Sequence, residues 1–381
     1  MDLDLVLAEH LNFQKATLVD NENLLAEIKN SPLNFSGVQL TYDRGPTFFN
    51  LLQLQATSSI TLISKATDKI LALASFSWGP RWINGRKNVA MYVGDFRCEN
   101  SRTLAKAWRL LYPELIQLFK SAPEFGPTTF LYTAVLQKNV RALNSLVKDK
   151  PGKTFFYKLF AEPKMVNVFF KKPFTAKTEL KVKPGSAVSE DELRQFLSRI
   201  HSQMFLGSCF DYSPGNEWDR RKKMWPNFTL ENFLVVTDSD NKIVACTLPW
   251  SPKDAKAMRL VSVSRLAAIG LSVAIFLGIK LPPLGETINI LYLTHLTFET
   301  TVSLAERATL ISSFIEFVLL HPKFSSYHFI SFADFKNIHQ FKPLKNFVMQ
   351  TTNVNLYAVD LDNQPVFVPP DCDIEFEMGL V

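Results

Sequence analysis

The residues best suited to chemistry gather at one point in the first half of the chain. Asp95, Phe96, Arg97 and Cys98 close a strand-like run, residues 99–102 form a polar turn, and a helical pattern begins around Leu104. A helix start exposes backbone N–H groups that have no partner within the helix, together with the positive end of its dipole, and so suits an anion such as a phosphate. Small residues let such an anion approach the backbone, and Thr103, Ala105 and Ala107 are small. Taken alone, the six residues 102–107 also fit an ordinary helix start. Side chains that can exchange a proton lie nearby: Asp95 and Tyr92 on the strand and Tyr132 on the next one. Asp95 equally suits a solvated strand end, and Tyr92 and Tyr132 suit core aromatics with satisfied hydroxyls. In the second half His295 reads as a hydrogen-bonded structural histidine, and Arg220-Arg221-Lys222-Lys223 as a charged helix face.

The periodicity predicts the elements that must position these groups. Upstream, GVQLTYDR reads as a strand, PTFFNLLQLQAT as a short helix, and ITLIS with KILALASFSW as a hairpin turning at Thr67-Asp68. NVAMYVGDFRC is a strand leading into LAKAWRLLYPELIQLF, a helix that Pro113 should kink or split because proline lacks the N–H. TTFLYTAVL is a strand, NVRALNSLV a helix, and TFFYKLF with MVNVFF a final strand pair. Residues 171–191, rich in Lys, Pro, Gly and Ser, read as a solvated linker. After it the order returns: the helix DELRQFLSRIHSQMF, the hairpin FLVVTDSDNKIVACTLPW, the strand INILYLTHLTFE, the helix SLAERATLISSFIEFVLL, and strands YHFISFAD and VNLYAVDL.

Residues 92–119 laid over 292–319 without a gap match Tyr92 with Tyr292, Glu99 with Glu299, Leu104 with Leu304, Ala105 with Ala305 and Leu110 with Leu310. The hairpins correspond as well: K-I-L-A at residues 69–72 and K-I-V-A at residues 242–245 each precede a tryptophan, Trp78 and Trp250. A duplicated fold is implied. From Trp250 to Tyr292 the second copy is longer than the first, and the extra length holds the uncharged run 266–279, read as an inserted apolar helix at about 255–285. The fold class expected is α/β, a mixed α+β sheet in two tandem domains. Each would carry a mostly antiparallel sheet flanked by helices, over residues 1–175 and 191–381 with a linker at 176–190.

The strand, turn and helix ending in Arg102-Thr103-Leu104-Ala105-Lys106-Ala107, followed by a strand and then Asn139, Arg141, Ala142 and Leu143, resemble the GNAT superfamily of acyl-CoA-dependent N-acyltransferases. The family's turn ends R-G-x-G-x-G/A, and here Thr103, Ala105 and Ala107 replace the glycines. The resemblance implies acetyl-CoA or another acyl-CoA as co-substrate, held by Phe96, Arg97, Cys98, Arg102, Thr103, Leu104, Ala105, Lys106, Ala107 and Asn139. It implies attack of a primary amine, on a small molecule or a peptide, upon the thioester. The tyrosine that often serves the family as general acid falls at Leu146, so Asp95, Tyr92 and Tyr132 are the candidate catalytic residues. The second turn, residues 302–307, carries Glu306, a poor neighbour for a phosphate. The first half is thus the expected cofactor half.

Composition narrows the remaining classes. In 381 residues, 47% hydrophobic and 20% charged, disorder is excluded. No P-loop or Rossmann glycine string occurs, and a net charge of +6 spread along the chain gives no nucleic-acid signature. Four cysteines without a C-x-x-C pair give no zinc or disulfide pattern, and the acidic N-terminus gives no secretory signal. The expectation is a cytoplasmic protein without a metal. The apolar run is short for a bilayer, which leaves an interfacial role for residues 260–280 as a further reading. A non-catalytic member of the same fold, binding a ligand or partner, is the alternative to an enzyme.

Overall fold

The computed structural model describes residues 2–10, 12–35, 37–67, 69–126, 128–148, 152–173, 182–265, 268, 275 and 278–381. Most of the described strands join one 14-stranded sheet. Its first half holds the antiparallel pair β1 (Lys69–Ile83) and β2 (Arg86–Cys98), the helix α1 (Arg102–Ser121), and β3 (Phe130–Leu136), which runs parallel to β2. β4 (Phe156–Ala161) and β5 (Lys164–Lys171) follow. The second half holds the helices α2 (Glu190–His201) and α3 (Glu217–Met224), then β6 (Ile243–Trp250), β7 (Ile290–Phe298), α4 (Leu304–Leu320), β8 (Phe329–Asp334) and β9 (Phe347–Asp360). β6 pairs antiparallel and β8 parallel with β7, repeating the first half's pattern.

The strand exchange at the middle of the sheet is what joins the halves. β9 begins beside β5 and ends inserted between β3 and β4, while β5 lies between β9 and β8. β4 and β5 therefore lie one after the other along β9 instead of pairing with each other. The division between residues 1–175 and 191–381 separates the repeats along the chain, but the sheet pairing crosses it. Removing either half would strip β3 or β8 of a neighbouring strand and expose its hydrogen-bonding edge. The described part of the linker is also packed: Lys183–Pro184 adds to the strand Leu234–Thr237. A Cβ on Gly185 would collide with the Leu230 carbonyl oxygen.

Two further expectations change. α1 runs unbroken through Pro113, because the turns on either side bury Trp108, Leu111, Tyr112, Leu115, Ile116 and Phe119. At roughly 1.5–3 kcal/mol for each large apolar side chain, that burial exceeds the ~3 kcal/mol cost of an internal proline. In the insertion, Ala257–Val263 is a strand and not part of a helix; it pairs with Val38–Asp43 in a separate four-stranded sheet that ties the insertion to the first half. Residues 266–267, 269–274 and 276–277 of the apolar run lie outside the described residues, as do Asp68 of the first hairpin turn and residues 174–181 of the linker. Among the described residues no helix is long and apolar enough to cross a membrane.

The offset of 200 seen in the sequence is a spatial one. β2 and β3 stay paired as far as Tyr92 and Tyr132, and β7 and β8 as far as Tyr292 and Ser331. Beyond these pairs each couple diverges. A bulge places Asp95 at φ 56° opposite Ala74, and a second places His295 at φ 52° opposite Thr247. Positive φ is rare outside glycine, so its recurrence exactly one repeat apart marks a shared backbone device.

Candidate active site

The fork of β2 and β3 is the first component. Thr133 donates from Oγ1 to the Val93 carbonyl at 2.7 Å, the last bond tying the two strands. The Tyr92 and Tyr132 rings meet edge to face with centroids 5.4 Å apart. Burial raises the pKa of both phenols, so both stay protonated and act as donors at neutral pH. Asp95 is engaged: Arg44 grips it through both oxygens, at 2.6 and 2.9 Å, with Arg97 3.8 Å away. Burial works against its charge, but Arg44 and Arg97 keep its carboxyl below the ordinary range.

The second component is the turn after β2. Ser101 caps α1, accepting from the Leu104 N–H at 3.3 Å, while the amides of Arg102 and Thr103 donate to no described acceptor. Arg102, Thr103, Ala105 and Lys106 are exposed, and Leu104 is buried beneath them. Arg141 reaches across from the segment after β3 to donate to the Cys98 carbonyl at 3.3 Å. Free amides, small side chains and the cations of Arg102, Lys106 and Arg141 fit an anionic pyrophosphate. Phe96 packs on Trp108 at 5.1 Å, the Cys98 thiol donates to the Glu99 carbonyl, and Ala107 is half-buried. Asn139 caps the short helix Val140–Ala142, accepting from Ala142 N–H at 3.1 Å.

A cleft of the second half, about 880 Å³ with its open mouth included, is lined by residues of β7, β8, α4 and 373–378 of the C-terminal segment. Asp373 joins its banks, taking Arg307 of α4 and Lys336 beyond β8, each at 2.8 Å. Ser303 and Glu306 form a capping box at the start of α4, so a carboxylate already answers the helix's positive end. Where Lys106 stands in the first half, Glu306 stands in the second.

Between the halves lies a cleft of about 600 Å³, mouth included, lined among others by Arg81, Tyr92, Tyr132, Glu217, Glu375 and Glu377. Beneath it Arg221 is wholly buried, donating to Glu217 at 2.7 Å, to Ser208 Oγ at 2.9 Å, to Glu377 at 3.1 Å and to His295 Nε2. Its guanidinium also lies over the Trp225 ring. The basic run 220–223 is therefore not a uniform charged face; Lys222 and Lys223 are exposed, while Arg221 is a core residue. Burial and the adjacent Arg221 hold His295 neutral, with its pKa well below the ordinary value. His295 Nδ1 bonds Thr294 Oγ1 at 2.9 Å, as expected of a structural histidine.

The structure thus brings Tyr92 and Tyr132 to one cleft, leaves the turn residues at the exposed start of α1 apart from it, and commits Asp95 to an ion pair. Sequence reasoning missed Arg44, Glu217, Arg221 and Glu377. For Arg221 a signal existed: Glu217 stands four residues before it, Trp218 lies between the two and Trp225 four residues after, a setting for a buried ion pair.

No family model matches the chain, and no curated protein matches it in sequence. Solved structures do. A Saccharomyces cerevisiae N-myristoyltransferase with bound myristoyl-CoA superposes with a TM-score of 0.52 at 12% identity, over 95% of this chain and 82% of that one. A second structure of the yeast enzyme, with bound myristoyl-CoA and inhibitors, gives 0.52 at 12% identity over 96% and 84%. The likeness extends over both halves, and with the repeated fork and bulge it defines the fold: this chain has the GNAT fold, duplicated in tandem.

Proposed function

We propose that the protein is an acyl-CoA-dependent N-acyltransferase that transfers an acyl group to a primary amine on a small molecule or peptide. The observation that carries this reading is the asymmetry between equivalent turns: the first is basic, with Arg102 and Lys106 exposed, whereas Glu306 answers the second and Asp373 spans the cleft beside it. The pyrophosphate would lie against the Arg102 and Thr103 amides, with Arg102, Lys106 and Arg141 around it. The thioester would lie along the diverging end of β2, where Tyr92 and Tyr132 can donate hydrogen bonds to the oxygen that becomes negative during amine attack. Asp95, held by Arg44, would orient the bulge instead of removing a proton.

Acetyl-CoA is the acyl donor expected from the sequence, and myristoyl-CoA is the ligand held by the solved neighbours; both belong in the test. The cytoplasm is the proposed location, supported by four free cysteines. A ligand that binds only the folded state stabilises it by RT ln(1 + [L]/Kd), about 2.7 kcal/mol at a hundredfold excess over Kd. In a chain of this size that should raise Tm by several degrees for at least one of the two thioesters. Absence of a shift with both would overturn the proposal in favour of a non-catalytic fold member.

A further inference from the structure

Three carboxylates reach the cleft between the halves, and two of them are saturated. Glu217 accepts from Arg220 through both oxygens, at 2.6 and 2.8 Å, and from Arg221 at 2.7 Å. Glu375 accepts from His201 Nδ1 and Ser208 Oγ, both at 2.7 Å, and from the Ser208 N–H. Glu377 differs. Its Oε1 takes a single N–H from Arg221 at 3.1 Å, and no described residue donates to Oε2, although the side chain is only 10% exposed. Tyr92 and Tyr132 line the same cleft, and no described residue hydrogen-bonds their hydroxyls. A largely buried carboxylate with one oxygen that no described residue satisfies, and two phenol side chains lining the same cavity, match an ammonium group, which has three N–H bonds to place.

We infer that this cleft is the subsite for the acceptor's ammonium group and that Glu377 binds it and takes its proton. The assignment rests on the acyl-transfer reading above. The other charged groups facing Glu377 are fixed in their own pairs: Arg221 and Glu217 on α3, Glu375 two residues before it, Arg81 on β1, His201 on α2 and neutral His295 on β7. Burial and the neighbouring Glu375 push the Glu377 pKa up, whereas Glu375, despite burial, is held well below the ordinary range by His201 and the guanidinium groups. Two adjacent carboxylates driven apart in this way leave one fixed anion and one proton acceptor.

The step balances. One ammonium proton passes to Glu377, freeing the nitrogen lone pair, which forms the C–N bond at the thioester carbonyl carbon. The C–S bond breaks with its electron pair on sulfur. A second proton from nitrogen completes the CoA thiol, and Glu377 returns its proton to solvent.

The test uses n-butylammonium as probe, with the full chain and its Glu377→Gln and Glu377→Asp variants. Glutamine keeps an oxygen for Arg221 and the same shape, so the fold should persist, with a Tm near wild type. Titration calorimetry should give butylammonium binding to wild type, at least tenfold weaker binding to Glu377→Gln, and partial recovery in Glu377→Asp. Equal affinity in wild type and Glu377→Gln, or no binding to wild type, overturns the assignment whether or not acyl-CoA binds. The acyl-CoA Tm shift, measured alongside, should be the same in all three proteins, and its absence in wild type would strike the acyltransferase reading alone. With both ligands, CoA release by Glu377→Gln should fall about 10²-fold or more and lose the rise with pH that a general base confers. A wild-type rate and pH profile in that variant would contradict the proton-transfer role.

Discussion

The two turns that follow β2 and β7 share a backbone plan and differ in charge. Both leave a bulge at a left-handed residue, Asp95 or His295, and both enter a helix capped by serine, Ser101 or Ser303. Burial repeats at the offset of 200 along the helices, at Trp108 and Ala308, Leu111 and Ile311, and Leu115 and Ile315. In the first half the helix start is surrounded by Arg102, Lys106 and Arg141. In the second, Glu306 takes the place of Lys106, and Asp373 binds both banks of the cleft. One scaffold thus carries an exposed, basic helix start in one copy and, in the other, a helix start answered by a carboxylate beside a cleft spanned by Asp373. The difference lies in a few charged side chains and a C-terminal segment, not in the fold.

Removing the buried ionic centre beneath the cleft between the halves is the harshest test of this shared scaffold. Arg221→Ala would leave the buried Glu377 without its donor and Glu217 with Arg220 alone, and should cost about 3–5 kcal/mol, read by chemical denaturation, while Lys222→Ala on the exposed face should change stability by less than about 0.5 kcal/mol. Acid should reach the same centre. The Glu217 pKa, driven down to about 2 by Arg221 and Arg220 against the cost of burial, lies below its ordinary value of 4.5. Its contribution is therefore present above pH 4.5 and lost as pH falls from there toward 2, a loss of order 3 kcal/mol. Denaturation midpoints measured between pH 6 and 3 should fall accordingly, and Glu217→Gln should flatten that fall.

The turns themselves can be set against each other. Thr103→Glu puts a carboxylate at the second position of α1 and should weaken acyl-CoA binding by about 30-fold, the equivalent of ~2 kcal/mol at a helix terminus. Ala305→Glu, at the same helical position in α4, should leave affinity unchanged. A loss of affinity in Ala305→Glu alone would reverse the assignment of the halves. A milder change than either is Asp373→Ala, which removes partly exposed pairs to Arg307 and Lys336 and should lower stability by about 1 kcal/mol or less.

How much of this was legible in the sequence follows from the range of the interactions. The repeat, the hairpins and the strand–turn–helix units rest on local periodicity, and the match of Asp95 with His295 survives as a shared bulge. The exchange of β5 and β9 could not be read, because MVNVFF and VNLYAVDL carry the same alternation whichever strand they pair with. Burial of Arg221 was hidden by its basic neighbours, and Ala257–Val263 was absorbed into the apolar run that follows it. Pro113 misled because local backbone preference was set against tertiary burial that only the packed helix reveals. Tyr92 and Tyr132 were legible as candidates, but the cleft they share with Glu377 forms only when the C-terminal segment returns to the first half.

Backbone amide exchange with and without an acyl-CoA would test the central claim most directly. Saturating thioester should slow exchange across residues 93–106 and leave residues 293–306 unchanged. Protection confined to residues 293–306, or none in either turn, would contradict the assignment of the cofactor to the first half.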